Sequence, residues 1–155
     1  MEIVLKLDGE LAGCANSFSP VSRCRELSSR DGRLALDPNG SSLFDEVRIS
    51  ESDVSHILSF FWSELCRLES LIGDVLLSVS RDNIHGCTWL LRGTFPSSLS
   101  GRLADLACEC CVFHALGSWM SDKLPKKAQE YVSRCERFES EFIRIAYSVL
   151  PPRRP

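Results

Sequence analysis

Apolar positions along this chain recur with two different periods. At the N-terminus Glu2 to Asp8 alternates, with Ile3, Leu5 and Leu7 on one face and Glu2, Lys6 and Asp8 on the other, which predicts a half-buried strand over residues 1–8. From residue 51 to 79 the period becomes helical: Val54, Leu58, Phe61, Leu65, Leu68, Ile72, Val75 and Val79 step by four and three. Ser50 and Asp53 sit at N-cap and N3 as a capping-box variant with Asp for Glu, while Gly73 weakens the later turns and allows an earlier end. Residues 81–86 break the pattern, and Cys87 to Phe95, with Thr88, Trp89 and Thr94, predicts a strand able to pair with the first. A second helix is expected over 97–121, on a stripe of Leu99, Leu103, Leu106, Cys110, Phe113, Gly117, Met120 and Leu124. A third, over 125–149, starts at Pro125, a residue suited to a first helical turn, and carries Ala128, Tyr131, Cys135, Phe138, Phe142, Ile145 and Val149. The expected fold is therefore mainly α: a single domain over 1–155, built as an antiparallel bundle of three long helices with a minor β element.

Residues 9–50 follow neither period. Four Gly, two Pro and eight Ser fall in this segment, with turn signals at Asp31-Gly32 and Pro38-Asn39-Gly40. It is expected to be a long loop or arm, with a small hairpin around Arg33 to Leu36, serving either as an insertion or as a partner-binding arm.

Composition adds little to the fold and more to the compartment. With 155 residues, 44% apolar and 25% charged, the chain can bury a core without disulfide or metal staples. Lys6, Asp8 and Glu10 interrupt any secretory h-region, and the most apolar window, Leu106 to Met120, is too short to span a bilayer and contains Glu109 and His114. No membrane association is expected. The eight cysteines are accordingly expected as small core residues in a reducing compartment.

The net charge of −3 hides an asymmetry. Residues 123–155 hold eight Lys or Arg against four Glu, so the rest of the chain, with 10 basic and 17 acidic residues, has a balance of −7. Lys126, Lys127, Arg134, Arg137 and Arg144 on the third helix, with Arg153 and Arg154 in the Pro-Pro-Arg-Arg-Pro tail at 150–155, form the candidate interface. Lys126, Glu130 and Arg134 stand at helical i, i+4 spacing, as in an ordinary solvated surface. The prolines of the tail favour an extended conformation that could present two guanidinium groups, or simply leave the end untethered. An acidic body and the absence of a helix-turn-helix unit argue against sequence-specific nucleic-acid reading.

Chemical motifs are sparse. Cys108, Cys110 and Cys111 with His114 contain one i, i+4 pair, but no second pair at ligand spacing, and Cys110 belongs to the apolar stripe, so core cysteines are expected and no metal or cofactor. His56, His85 and His114 lie in three different elements, and there is no nucleophile elbow or phosphate loop, which argues against an enzyme. An enzymatic alternative would require titratable groups converging near His85 or His114.

Residues from about Ser50 to Pro155 resemble the small head–tail connector, or head completion adaptor, proteins of tailed phages and prophages. The resemblance is carried by SESDVSHILSFFWSELCRLESLI, by CTWLLRGTF, by the Ala-Leu-Gly-Ser-Trp-Met approach to the turn, and by KKAQEYVSRCERFESEFIRIAYSVLPPRRP. It implies a noncatalytic virion protein assembled in the host cytoplasm, whose copies form a ring on the portal protein and dock the tail or the next adaptor. The family pattern does not account for the cysteine content. A cytosolic helical-bundle adaptor, binding another protein through its arm or basic tail, is the alternative.

Overall fold

The computed structural model describes residues 1–7, 18–83, 86–93 and 96–148. The alternating N-terminal pattern becomes strand β1, Glu2–Lys6, whose Ile3 and Leu5 are fully buried. It pairs antiparallel with β3, Gly86–Leu91, placing Ile3 opposite Trp89 and Leu5 opposite Cys87. That pairing matches the expectation, but β3 is the central strand of three, because β2, Leu76–Asn83, lies along its other edge.

The first half of β2, Leu76 to Val79, occupies sequence expected to be helical. The capping box forms as expected, with the Ser50 backbone N–H donating to Asp53 Oδ2 at 3.0 Å, and a short 3-10 turn at Glu51–Asp53 leads into α3, Val54–Leu71. The helix stops there, at about 27 Å rather than the 40 Å of an uninterrupted stripe. Ile72 and Val75 are still buried, but they lie in the turn that reverses the chain around Gly73. A 4-3 spacing cannot separate the two outcomes, because Val75 and Val79 suit a strand as well as a helix.

The segment 9–50 is the larger correction. Within it α1, Pro20–Leu34, is a helix of 15 residues, capped by Ser19 with Pro20 in the first turn, and a single turn α2, Phe44–Val47, follows. Residues 9–17 of the expected arm lie outside the described residues. The buried positions of α1, namely Val21, Cys24, Ser28, Asp31 and Gly32, are helically spaced but mostly small or polar, so the segment carries no strong apolar signal. Small residues here permit close approach: a Cβ on Gly32 would stand 2.9 Å from the Phe44 Cα. Ser28 Oγ accepts from the Ile49 N–H at 3.3 Å, and the Trp119 indole donates to the Val47 carbonyl at 2.6 Å, tying α1, α2 and α4 together. The expected hairpin reduces to one bridge between Leu36 and Ser42.

α4, Ser97–Met120, and α5, Pro125–Ser148, form the expected helical pair. The pairings Arg102 with Glu141, Cys110 with Cys135 and Gly117 with Val132 run in opposite directions along the two helices, so they are antiparallel. α4 is buried almost all round, since α5, α3, α1 and β1 each cover part of it. Among the described residues the architecture is thus mainly helical, with four long helices and a three-stranded antiparallel sheet, rather than three long helices with a minor β element.

Of the seven described cysteines, six are buried core residues and Cys66 is exposed; Cys14 lies outside the described residues. Among the described residues, no helix is long and apolar enough to cross a membrane.

Candidate functional site

α5 is strongly two-sided. Ala128, Tyr131, Cys135, Phe142 and Ile145 turn inward, while Lys126, Arg134, Arg137 and Arg144 are exposed and Lys127 is half-buried. At 100° per residue Lys126, Arg137 and Arg144 fall within about 20° of one another, and Arg134 and Lys127 lie about 80° and 100° round, so five cations share one broad sector. Glu130 and Glu141 stand in the same sector, which leaves it at +3. Glu130 pairs with Lys127 at 3.1 Å, not with the expected Lys126 or Arg134, and Glu141 takes Arg102 of α4 at 2.8 Å. Lys126, Arg137 and Arg144 have no ion pair among the described residues. Arg153 and Arg154 lie outside the described residues, as does His85.

Beside this sector a groove of about 810 Å³ runs between α4, α5 and the start of α1. Phe113 and Phe138 stack on its floor with ring centroids 5.5 Å apart, and the Arg134 guanidinium lies 5.7 Å from the Phe113 centroid. Arg23 of α1 sits over Phe18 and Phe113 and pairs with Glu109 at 3.3 Å. The groove therefore offers both signs of charge above an aromatic floor, a combination suited to a peptide segment carrying both.

Two polar atoms here are buried without a hydrogen bond, Arg23 Nε and Glu109 Oε2. Burial holds the Glu109 carboxyl above its ordinary range, against the opposing pull of Arg23. Partner groups that supply an acceptor to one and a donor to the other would relieve that cost.

No protein-family model, no curated protein and no solved structure matches this chain. The site must therefore be judged on its own chemistry. Arg134 and Arg137 of the expected interface do line the groove, whereas Arg23, Arg102 and Glu109 were not among the expected residues. A signal existed for two of them, since Arg102, Asp105 and Glu109 recur at i, i+3 and i+7 on α4. Arg23 was hidden in a segment expected to be a loop. His114 is not isolated, for its Nδ1 stands 3.5 Å from the buried Glu64 carboxylate.

Proposed function

We propose that this protein is a noncatalytic structural protein of phage or prophage virion assembly, a head–tail connector whose copies form a ring on the portal and dock the tail. The supporting observation is the charge segregation: four exposed cations, Lys126, Arg134, Arg137 and Arg144, share one sector of α5, while Asp45, Glu46 and Glu51, on α2 and the 3-10 turn that follows, are exposed carboxylates. Two different, complementary patches on one molecule make a heterologous contact, which closes into a ring when the rotation between copies allows. The cations lie on one helix of 24 residues, so that side of the contact needs little ordering of the backbone. The aromatic, two-signed groove gives a neighbouring chain terminus or a portal segment a place to lie.

The reading is tested by co-expressing the chain with the portal protein encoded beside it, followed by affinity capture and electron microscopy of the assemblies. Rings of this protein on portal particles are expected, and their loss on Arg137→Glu with Arg144→Glu. Failure to associate with the portal, or a genomic setting without portal, terminase or tail genes, would overturn the connector assignment in favour of a cytosolic adaptor.

A further inference from the structure

Polar side chains are costly inside a helical bundle unless each finds a partner, and one point where α3, α4 and α5 meet gathers several. Glu64 of α3 is 1% exposed and Glu139 of α5 is 7% exposed. Cys135 lies one turn before Glu139 on the same face, and His114 of α4 stands at the edge of the group, against Glu64. The Cys135 thiol points at Glu139 Oε1 at 3.3 Å, at the Cys110 carbonyl at 3.5 Å and at Glu64 Oε1 at 3.8 Å. One thiol proton cannot serve three acceptors. Among the described residues Glu64 Oε2 has no hydrogen-bond partner, and the His114 Nδ1 faces it at 3.5 Å.

We propose that Glu64, Cys135 and Glu139 bind a divalent transition-metal ion of the zinc class, with water in the fourth position. Zinc bonds of about 2.0 Å to nitrogen and oxygen and about 2.3 Å to sulfur, at a tetrahedral angle, place donors about 3.3–3.5 Å apart. The separations of 3.3 Å from Cys135 Sγ to Glu139 Oε1 and 3.8 Å from it to Glu64 Oε1 lie close to that spacing. The donor atoms of Glu64, Cys135 and Glu139 all lie within 4.8 Å of one another. Charge also closes: a thiolate and two carboxylates around a divalent ion leave −1, which Arg67 cancels from 3.0 Å at Glu139 Oε2. Arg67 is thus a positioning residue, fixing one ligand from outside. Protons displaced from the thiol and from any protonated carboxyl pass to solvent. The outward side of the cluster is formed by the His114 ring, 32% exposed, and the Arg67 side chain, 60% exposed, giving an ion a way in.

The cysteine-rich stretch of α4 supplies none of this set; Cys108, Cys110 and Cys111 pack as core. The donors come from two helices, and the one i, i+4 pair, Cys135 and Glu139, is too little to announce a site in the sequence. The site is separate from the α5 surface and does not depend on the connector assignment.

The test uses the full chain, reduced and freed of metal by a chelator, titrated with cobalt(II) and, by calorimetry, with zinc chloride. The expected result is one ion per chain and a thiolate-to-cobalt charge-transfer band with the visible spectrum of a tetrahedral ion. Cys135→Ser should abolish the band and Cys66→Ser should retain it. Arg67→Met should weaken binding about 10- to 100-fold. Absence of the band in the intact chain, or its survival in Cys135→Ser, overturns the proposal. If Cys135→Ser loses its helical circular dichroism, Glu64→Gln and Glu139→Gln decide instead: at least tenfold weaker zinc binding in both supports the site, and unchanged affinity in either overturns it.

Discussion

The two faces of α5 carry similar side chains under opposite conditions. On the inner face Tyr131 and Glu139 sit among Phe113, Phe142 and Cys135, and both are answered from other helices: Tyr131 donates to Asp31 of α1, and Glu139 Oε2 receives Arg67 of α3. On the outer face Lys126, Arg137 and Arg144 stand in water. Inside, a charge fixes where helices dock, because leaving one partner unpaired costs the full desolvation of the other. Outside, solvent screens the same charges until they add little to stability and remain available for recognition.

The contrast yields a graded set of outcomes. The largest effect is expected from Phe142→Ala, which removes the ring that meets Trp89 at 5.8 Å and joins α5 to the sheet. It should cost about 3–5 kcal/mol in urea denaturation. Tyr131→Phe is next: it keeps the packing but withdraws the hydroxyl from buried Asp31, leaving Arg30 at 3.2 Å and Lys127 at 3.9 Å. A loss of about 1–3 kcal/mol is expected, with hydrogen exchange rising in α1 before the rest of the molecule. An unchanged exchange rate in α1 would show that this contact does not hold the helix.

Gly32→Ala tests the same docking sterically. The added Cβ meets backbone at 2.9 Å, so α1 and α2 must separate, at a cost of about 1–3 kcal/mol by the same denaturation assay.

Glu109 lies between the two regimes, and pH separates them. Its carboxyl is raised in the folded state, so folding holds that proton more tightly than the unfolded chain does. The resulting contribution to stability is whole below the ordinary carboxylate value and is lost as pH rises through the raised one. The thermal midpoint of the parent chain should therefore fall relative to Glu109→Gln on going from acidic to neutral pH. Parallel curves for the two would refute the assignment to Glu109.

The smallest effect on stability is expected at the outer face. Arg137→Ala with Arg144→Ala should leave the denaturation midpoint unchanged while weakening any salt-sensitive self-association followed by light scattering. Loss of stability without loss of association would reverse the division between the two faces.

How far the sequence could be followed depended on burial being written in apolar residues. β1, the Ser50 cap, the Pro125 start and the α4–α5 pair were all legible, because Ile3, Leu5, Leu65, Phe113 and Phe142 mark their buried faces at the proper period. α1 was not, since its buried face is Cys24, Ser28, Asp31 and Gly32, chosen for closeness and hydrogen bonding rather than for hydrophobicity. β2 was not, because the stripe runs through Ile72, Val75 and Val79 at a spacing that both elements satisfy. The cations of α5 were visible, but the groove they border needed Arg23 from α1 and Glu109 from α4.

By itself the sequence determined the local periods, the caps and the uneven distribution of charge, which depend on residues a few positions apart. Only the tertiary structure decided which long-range partners meet: Asp31 with Tyr131, Arg23 with Glu109, and Glu64 with His114, Cys135 and Glu139. Such meetings follow from how helices pack, and a side chain's chemistry in the interior is set by neighbours brought close in space, whatever their separation along the chain.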